Sequence, residues 1–157
     1  MADSAVTTRT GRTPAHPILE QDATSEWLGI EVVHTAPGEA TIAMELRPEM
    51  LNGFGIAHGG MVFAFADTAF ALACNPHDGP AMAEAPTVTV ASGADINFLA
   101  SAKAGDRLTA VARHRASAGR SGVYDIEITA GSGDGSGTVI AEVRGRSRTI
   151  PNPRLRR

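Results

Sequence analysis

Asp67 is the one carboxylate in the segment from His58 to Asn75, H-G-G-M-V-F-A-F-A-D-T-A-F-A-L-A-C-N, whose remaining residues are mostly Ala, Phe, Leu, Met and Val. An ionised carboxylate in such surroundings must be paired, hydrogen-bonded or open to a cleft. Asp67 is therefore a candidate base or nucleophile. The alternative is an aspartate at the rim of a core helix, tied to backbone or to an arginine. Gly59 and Gly60 allow close approach to the backbone at the start of the same segment. There the first helical turn offers unpaired N–H groups and the positive end of the dipole. Such a place can bind an anion or a developing oxyanion, although the glycines could equally serve only a tight turn after Asn52-Gly53.

Other chemistries lack their residues. The sequence has no HExxH, no G-x-S-x-G, no P-loop lysine after the Gly-rich stretch 131–137 and no G-x-G-x-x-G ahead of a helix. His16, His34, His58, His77 and His114 have no metal-ligand spacing, so no metal and no cofactor is implied. Cys74 is the single cysteine, which excludes an intrachain disulfide and a CxxC zinc site.

These residues need a framework. The apolar segment 61–73 reads as a core helix, stopped by Asn75-Pro76. A short helix is expected over 18–28, with Ile18, Leu19, Trp27 and Leu28 as contacts. Strands are expected at 39–46, where Ile42, Met44 and Leu46 alternate with polar or small residues, and at 86–98, 107–115, 122–130 and 138–150. Ser92-Gly93 marks a bulge in the second of these. One helix and at least five strands with short links predict an α+β domain, an antiparallel sheet packed on a helix. Strand 122–130 carries apolar residues in both phases (Val123, Tyr124, Ile126, Ile128), so part of the second sheet face is an expected oligomer interface.

A chain of 157 residues suits one domain. We expect a flexible leader over 1–17, a single domain over 18–151 and a basic tail over 152–157. With a net charge of −3 there is no global footprint for nucleic acid or a membrane surface. Arginines 144, 146, 148, 154, 156 and 157 nevertheless form a local positive cluster that could meet phosphates or merely solubilise the tail. No signal-peptide pattern opens the chain, and its apolar runs fall short of the roughly 20 residues a membrane span needs. The expected location is the cytoplasm.

Several ordered motifs carry a family likeness: Met50-Leu51-Asn52-Gly53, His58-Gly59-Gly60, Ala66-Asp67-Thr68-Ala69-Phe70-Ala71, Cys74-Asn75, Asp95-Ile96-Asn97-Phe98-Leu99, Gly105-Asp106-Arg107-Leu108-Thr109-Ala110, Gly119-Arg120 and Gly122-Val123-Tyr124-Asp125-Ile126. Over residues 28–150 the chain resembles the hotdog-fold thioesterases of phenylacetate degradation, which act on phenylacetyl-CoA or hydroxyphenylacetyl-CoA. The resemblance implies a hotdog fold, a long helix wrapped by an antiparallel sheet. It also implies a homodimer as the catalytic unit, commonly paired into a homotetramer, and hydrolysis of an acyl-CoA thioester to acid and CoA. By position it assigns the essential acid to Asp67, the oxyanion N–H to Gly60, and an assisting polar residue to Asn52, with His58 orienting the oxyanion turn.

Gly60 and Asp67 lie seven residues apart, about 10 Å along one helix at about 1.5 Å per residue. That is too far to serve one carbonyl, so a second subunit is expected to bring its Asp67 opposite Gly60. Asp67 would then activate water or attack the carbonyl directly. Thr68 is a candidate to hold water, or else bonds back to its own backbone. The resemblance places Asn97 and Phe98 on the border of the pantetheine channel, and makes Arg120, Arg146 and Arg148 candidates for the nucleotide phosphates. A basic residue common in relatives after Phe98-Leu99 is absent here, and Lys103 is its candidate substitute. Phe54 leads an apolar loop, 54–57, suited to an aryl or medium-length acyl group. The competing readings are a non-catalytic hotdog protein that binds acyl-CoA as a regulator or carrier, and a thioesterase for medium-chain acyl-CoA.

Overall fold

In the computed structural model, residues 16–131 and 137–155 are described. The leader expected over 1–17 falls almost wholly outside them, as do most of the Gly-rich stretch and the last two arginines. Within the described part, His16 is fully buried and Pro17–Leu19 forms a 3-10 turn, so the packed chain already includes the end of the span assigned to the leader. At the other end Asn152 is also buried, and it anchors the chain rather than opening a tail.

Helix α1 (Ala23–Leu28) is shorter than the 18–28 expectation. Asp22 caps its N-terminus by accepting from the Ser25 N–H at 3.0 Å, and Gly29, at φ 73°, ends it in the left-handed conformation glycine tolerates. Leu28 enters the core, but Trp27 does not: it is 50 % exposed, with the Arg47 guanidinium 5.1 Å from its ring centre. A six-residue helix presents only one narrow stripe inward, here Ser25 and Leu28, and Trp27 lies off that stripe.

Strands β1 (Glu31–Ala36), β2 (Glu39–Glu45), β3 (Thr87–Phe98), β4 (Arg107–Ala118), β5 (Ser121–Gly131) and β6 (Thr138–Pro151) form one antiparallel sheet in the order β1-β2-β4-β5-β6-β3. The register slips between Ala91 and Gly93, where Ser92-Gly93 predicts a bulge. The sequence reading misses β1. It is an edge strand with Val33 59 % exposed and a register slip after Val32, so no clean alternation marks it.

Helix α2 (Gly59–Cys74) lies across the inner face of the sheet. Its Phe65, Ala69 and Leu72 pack into a core with Ile42, Met44, Leu108, Ile126 and Ile128. Small residues on the sheet let it approach closely: a Cβ on Gly145 would stand 2.8 Å from the Phe70 ring. Tyr124, Ile126 and Ile128 all face this core, leaving Val123 as the apolar residue in the opposite phase of β5. The outer face instead carries Asp125 and Glu127, and Arg144 bonds Asp125 at 2.7 Å. The apolar second face expected of that strand is thus charged.

The helix is not buried all round. Gly60, Phe63 and Asp67, three and then four residues apart, form one exposed stripe. Among the described residues, no helix is long and apolar enough to cross a membrane.

Gly145→Ala forces the buried Phe70 ring to move and should destabilise the fold by about 1–3 kcal/mol. Urea unfolding measures this, and a wild-type midpoint would show that the helix–sheet approach is looser than described.

Candidate active site

Two clefts open beside α2, one near each end of β3. The first, about 340 Å³, is lined by Asp67 with Ala71 and Asn75 of the helix, Ile18, Met82 and the β3 segment 88–91. The second, about 390 Å³, is lined by Asn52, Gly59, Val62, Phe98 and the turn 99–102. Asp67 and the start of its own helix therefore do not share a cleft in a single protomer.

Asp67 remains open to solvent on one side, yet the protein packed around its carboxyl raises its pKa above the ordinary carboxylate value. Desolvation is the larger cause and the negative charge of Asp22 the second. Its surroundings are fixed by Asn75. That side chain donates to the Ala71 carbonyl at 2.9 Å and the Thr89 carbonyl at 2.8 Å, and accepts from the Thr89 N–H at 3.0 Å. The C-terminal end of α2 is thereby bound to β3. Burial pushes the nearby Cys74 thiol up to about 12, which leaves it inert as a nucleophile.

At the helix start, His58 is the N-cap, and its Nδ1 accepts from the Gly60 N–H at 2.9 Å. An accepting Nδ1 carries no proton. The imidazole orients the turn, and the Gly60 donor assigned from the resemblance is already engaged. Gly59, one residue earlier, lines the second cleft, with the Phe98 ring so close that a Cβ would meet it at 3.0 Å. No hydrogen bond engages its N–H among the described residues.

Asn52 works within its own loop. Its Oδ1 accepts from the Phe54 N–H at 2.9 Å and the Ile56 N–H at 3.4 Å, a side-chain-closed turn that leaves the Nδ2 group without a partner among the described residues, and Asn52 itself lines the second cleft. Phe54 stands at the loop tip, 89 % exposed.

Other candidates separate. Thr68 is buried and turned away from the Asp67 cleft: its hydroxyl donates to the Ala64 carbonyl at 3.3 Å and lies 3.3 Å from Ser25 Oγ. Phe98 lines the second cleft, whereas Asn97, its neighbour on a strand where successive side chains alternate, is on the outer face among Arg113, Glu127 and Glu142. Lys103 sits in the turn beyond Ala102, exposed, its N–H bonded to Asp106 at 2.9 Å. Arg146 is paired with Asp95 at 2.6 Å. Arg148 is opposite Ser121, and Arg120 occupies the β4–β5 turn, so these three gather at the hairpin end of the sheet. Among the described residues no group of three or more His, Cys, Asp or Glu could hold a metal ion.

The sequence reading misses Asp22, which shares the Asp67 cleft. Its only local signal is a capping pattern ahead of α1, which says nothing of Asp67.

Residues 54–136 match the Thioesterase superfamily family profile. The acyl-coenzyme A thioesterase PaaI of Escherichia coli is 40% identical over 136 residues, covering 87% of this chain and 89% of that protein. The structure of the E. coli PaaI protein from the phenylacetic acid degradation operon superposes with a TM-score of 0.74, covering 86% of this chain and 89% of that one. A mutant of the phenylacetic acid degradation protein PaaI from Thermus thermophilus, 35% identical, gives 0.69 over 81% and 98% of the two chains. A carboxylate of raised basicity on the long helix, a glycine-opened helix start and these matches over most of the chain agree: the protein belongs to the thioesterase superfamily and has its hotdog fold.

Proposed function

We propose that the protein hydrolyses acyl-CoA thioesters to the free acid and CoA, with phenylacetyl-CoA or hydroxyphenylacetyl-CoA as the favoured substrate and the cytoplasm as its location. The observation that carries the reading is the pair of clefts at opposite ends of β3, one holding a carboxylate and the other a glycine N–H at a helix start. β3 is an edge strand of twelve residues with a free side. Such an edge is a template for pairing. In antiparallel pairing with β3 of a second copy, segment 88–91 of one strand runs beside the Phe98 end of the other. The Asp67 cleft of one protomer then joins the Gly59 cleft of its mate, and the dimer carries two complete sites. The exposed stripe of Gly60, Phe63 and Asp67 supports such a contact. Two dimers would make the tetramer that the resemblance implies.

In this site the thioester oxygen lies against the Gly59 N–H, where the helix dipole favours the charge that develops on it. His58 supports the turn by holding the next N–H, that of Gly60. Asp67 takes a proton from water as the water oxygen bonds to the carbonyl carbon. The C–S bond then breaks, and the CoA thiolate takes up a proton. Direct attack by Asp67, giving an anhydride that water opens, uses the same groups. The raised basicity of the carboxyl favours the first route. Asn52, with its Nδ2 free to donate, assists at the oxyanion side, and Phe54 and Ile56 of its loop supply apolar contacts to the acyl group. Arg120, Arg146 and Arg148 are the proposed partners of the nucleotide phosphates, with Lys103 nearer the Gly59 cleft. Thr68 and Asn97 have no direct part, because the first bonds inward and the second faces the outer side of the sheet.

Release of free thiol from phenylacetyl-, butyryl- and lauroyl-CoA tests the activity directly. Asp67→Ala should lose about a hundred-fold or more of turnover while staying folded and oligomeric. A variant retaining more than about a tenth of wild-type kcat would remove the carboxylate from the mechanism.

The same carboxyl sets a pH dependence. The ionised form is the active one, so kcat/KM should fall with acidification at a pH above the ordinary carboxylate value. For stability the sign is opposite. Between its unfolded and its higher folded pKa the native state holds more of this proton than the unfolded state, so stability is lost as pH rises through that window. Asp67→Asn should therefore melt no lower than wild type at pH 7, with the difference vanishing in acid. A clearly lower midpoint at pH 7 would contradict this.

Phe54→Ala should reorder the acyl groups, since an apolar pocket discriminates by about 1–3 kcal/mol per methylene-sized difference. Equal depression of all three substrates would dissociate the 54–57 loop from acyl selection.

A further inference from the structure

Asp22 is held by Ser25, which in turn packs against Thr68, the residue that follows Asp67 on α2. Both of its carboxylate oxygens accept from Ser25, Oδ1 from the N–H at 3.0 Å and Oδ2 from the hydroxyl at 2.6 Å. Ser25 Oγ, itself buried, lies 3.3 Å from the hydroxyl of Thr68, the residue next to Asp67. Thr68 in turn donates to the Ala64 carbonyl. A carboxylate that accepts two such bonds is fixed in place. It also lines the cleft that contains Asp67.

We propose that Asp22 is a positioning residue for the reaction: held by Ser25, it is the fixed negative charge of the Asp67 cleft and strengthens Asp67 as a base toward water. The inference rests on the general-base reading of Asp67. Two like charges in a partly desolvated cleft disfavour ionisation of the one that is less well bonded. Asp22 has two donors, whereas no hydrogen bond or ion pair engages the Asp67 carboxyl among the described residues. The repulsion is therefore relieved by proton uptake at Asp67, the direction a general base requires. It adds to desolvation, which is the larger of the two effects on Asp67.

Competing sources of charge are few. Segment 88–91 of β3 is Val-Thr-Val-Ala and offers no titratable group, and neither do Ile18 and Met82. Glu84 belongs to the same turn as Met82 but does not line the cleft. Cys74, farther along the helix, stays a neutral thiol, and His16 is turned to the Asn75 carbonyl at 3.2 Å. The two-copy site adds His58.

The test is the pH profile of kcat/KM on phenylacetyl-CoA for the full-length wild type, Asp22→Asn, Asp67→Asn and His58→Gln. Asparagine is as good an N-cap as aspartate and keeps the bond from the Ser25 N–H, so Asp22→Asn removes the charge with the least structural change. Its acid limb should move to lower pH. Its plateau should fall by far less than the hundred-fold or more expected when the base itself is removed. A merely structural role would lower the plateau or the melting temperature and leave the limb in place. Salt provides a second measurement that needs no variant: screening weakens the like-charge repulsion, so the wild-type limb should drift to lower pH as ionic strength rises. An unmoved limb in Asp22→Asn, with Asp67→Asn inactive, overturns the proposal while leaving Asp67 as base. A limb that moves in His58→Gln and not in Asp22→Asn overturns it as well. Full activity of Asp67→Asn instead overturns the reading on which it rests.

Discussion

The architecture depends on the packing of a single long helix against the inner face of one antiparallel sheet. Helix α2 carries the largest part of the core, and the strands that cover it answer with Leu108, Ile126 and Ile128 on one face and charged residues on the other. Where helix and sheet come closest, side chains are deleted altogether, as at Gly145 under Phe70. Because the sheet buries only one side of α2, a narrow stripe of the helix is left over, and Asp67 lies on it. The helix that builds the core thus also presents the carboxyl proposed as the base, and it can present it only at the margin.

That margin has its own supports. Asn75 binds the end of the helix to β3, while Asn52 closes the loop ahead of the helix and His58 caps its first turn. Each uses side-chain hydrogen bonds to the backbone, which fix position without adding charge near the reacting groups. The cost falls on the donors they consume: the N–H of Gly60 is taken by the cap, and the free donor passes to Gly59. The capping side chain thus decides which N–H at the helix start is left to serve as the proposed oxyanion donor.

The edge strand β3 links the two ends. Its bulge at Ser92-Gly93 separates the segment beside Asp67 from the segment beside Phe98, and its free side is where the proposed second copy pairs. The proposed site is consequently a property of a pair of chains, with the acid and the oxyanion donor supplied from opposite ends of equivalent strands.

Much of this was legible in the residues. The period-2 alternation of Ile42, Met44 and Leu46, the glycine pair before an apolar run, and the Ser92-Gly93 bulge are local signals, because backbone geometry and side-chain period are set by near neighbours. The isolation of one acid in an apolar helix marked Asp67 for the same reason. What needed the tertiary structure was every relation between distant segments. The sequence does not show that β1 exists as an exposed edge, that Trp27 lies outside the core, that Asn97 and Phe98 part company across the sheet, or that Thr68 turns inward beside Ser25. Nor does it show Asp22 beside Asp67, since the two are forty-five residues apart in the chain and share a cleft only once α1 docks on α2. Sequence pattern determined which residues must be buried and which acid was anomalous. Only the folded chain decided which neighbours that acid has, because charge and hydrogen bonding act over a few ångströms of space, whatever the separation along the chain.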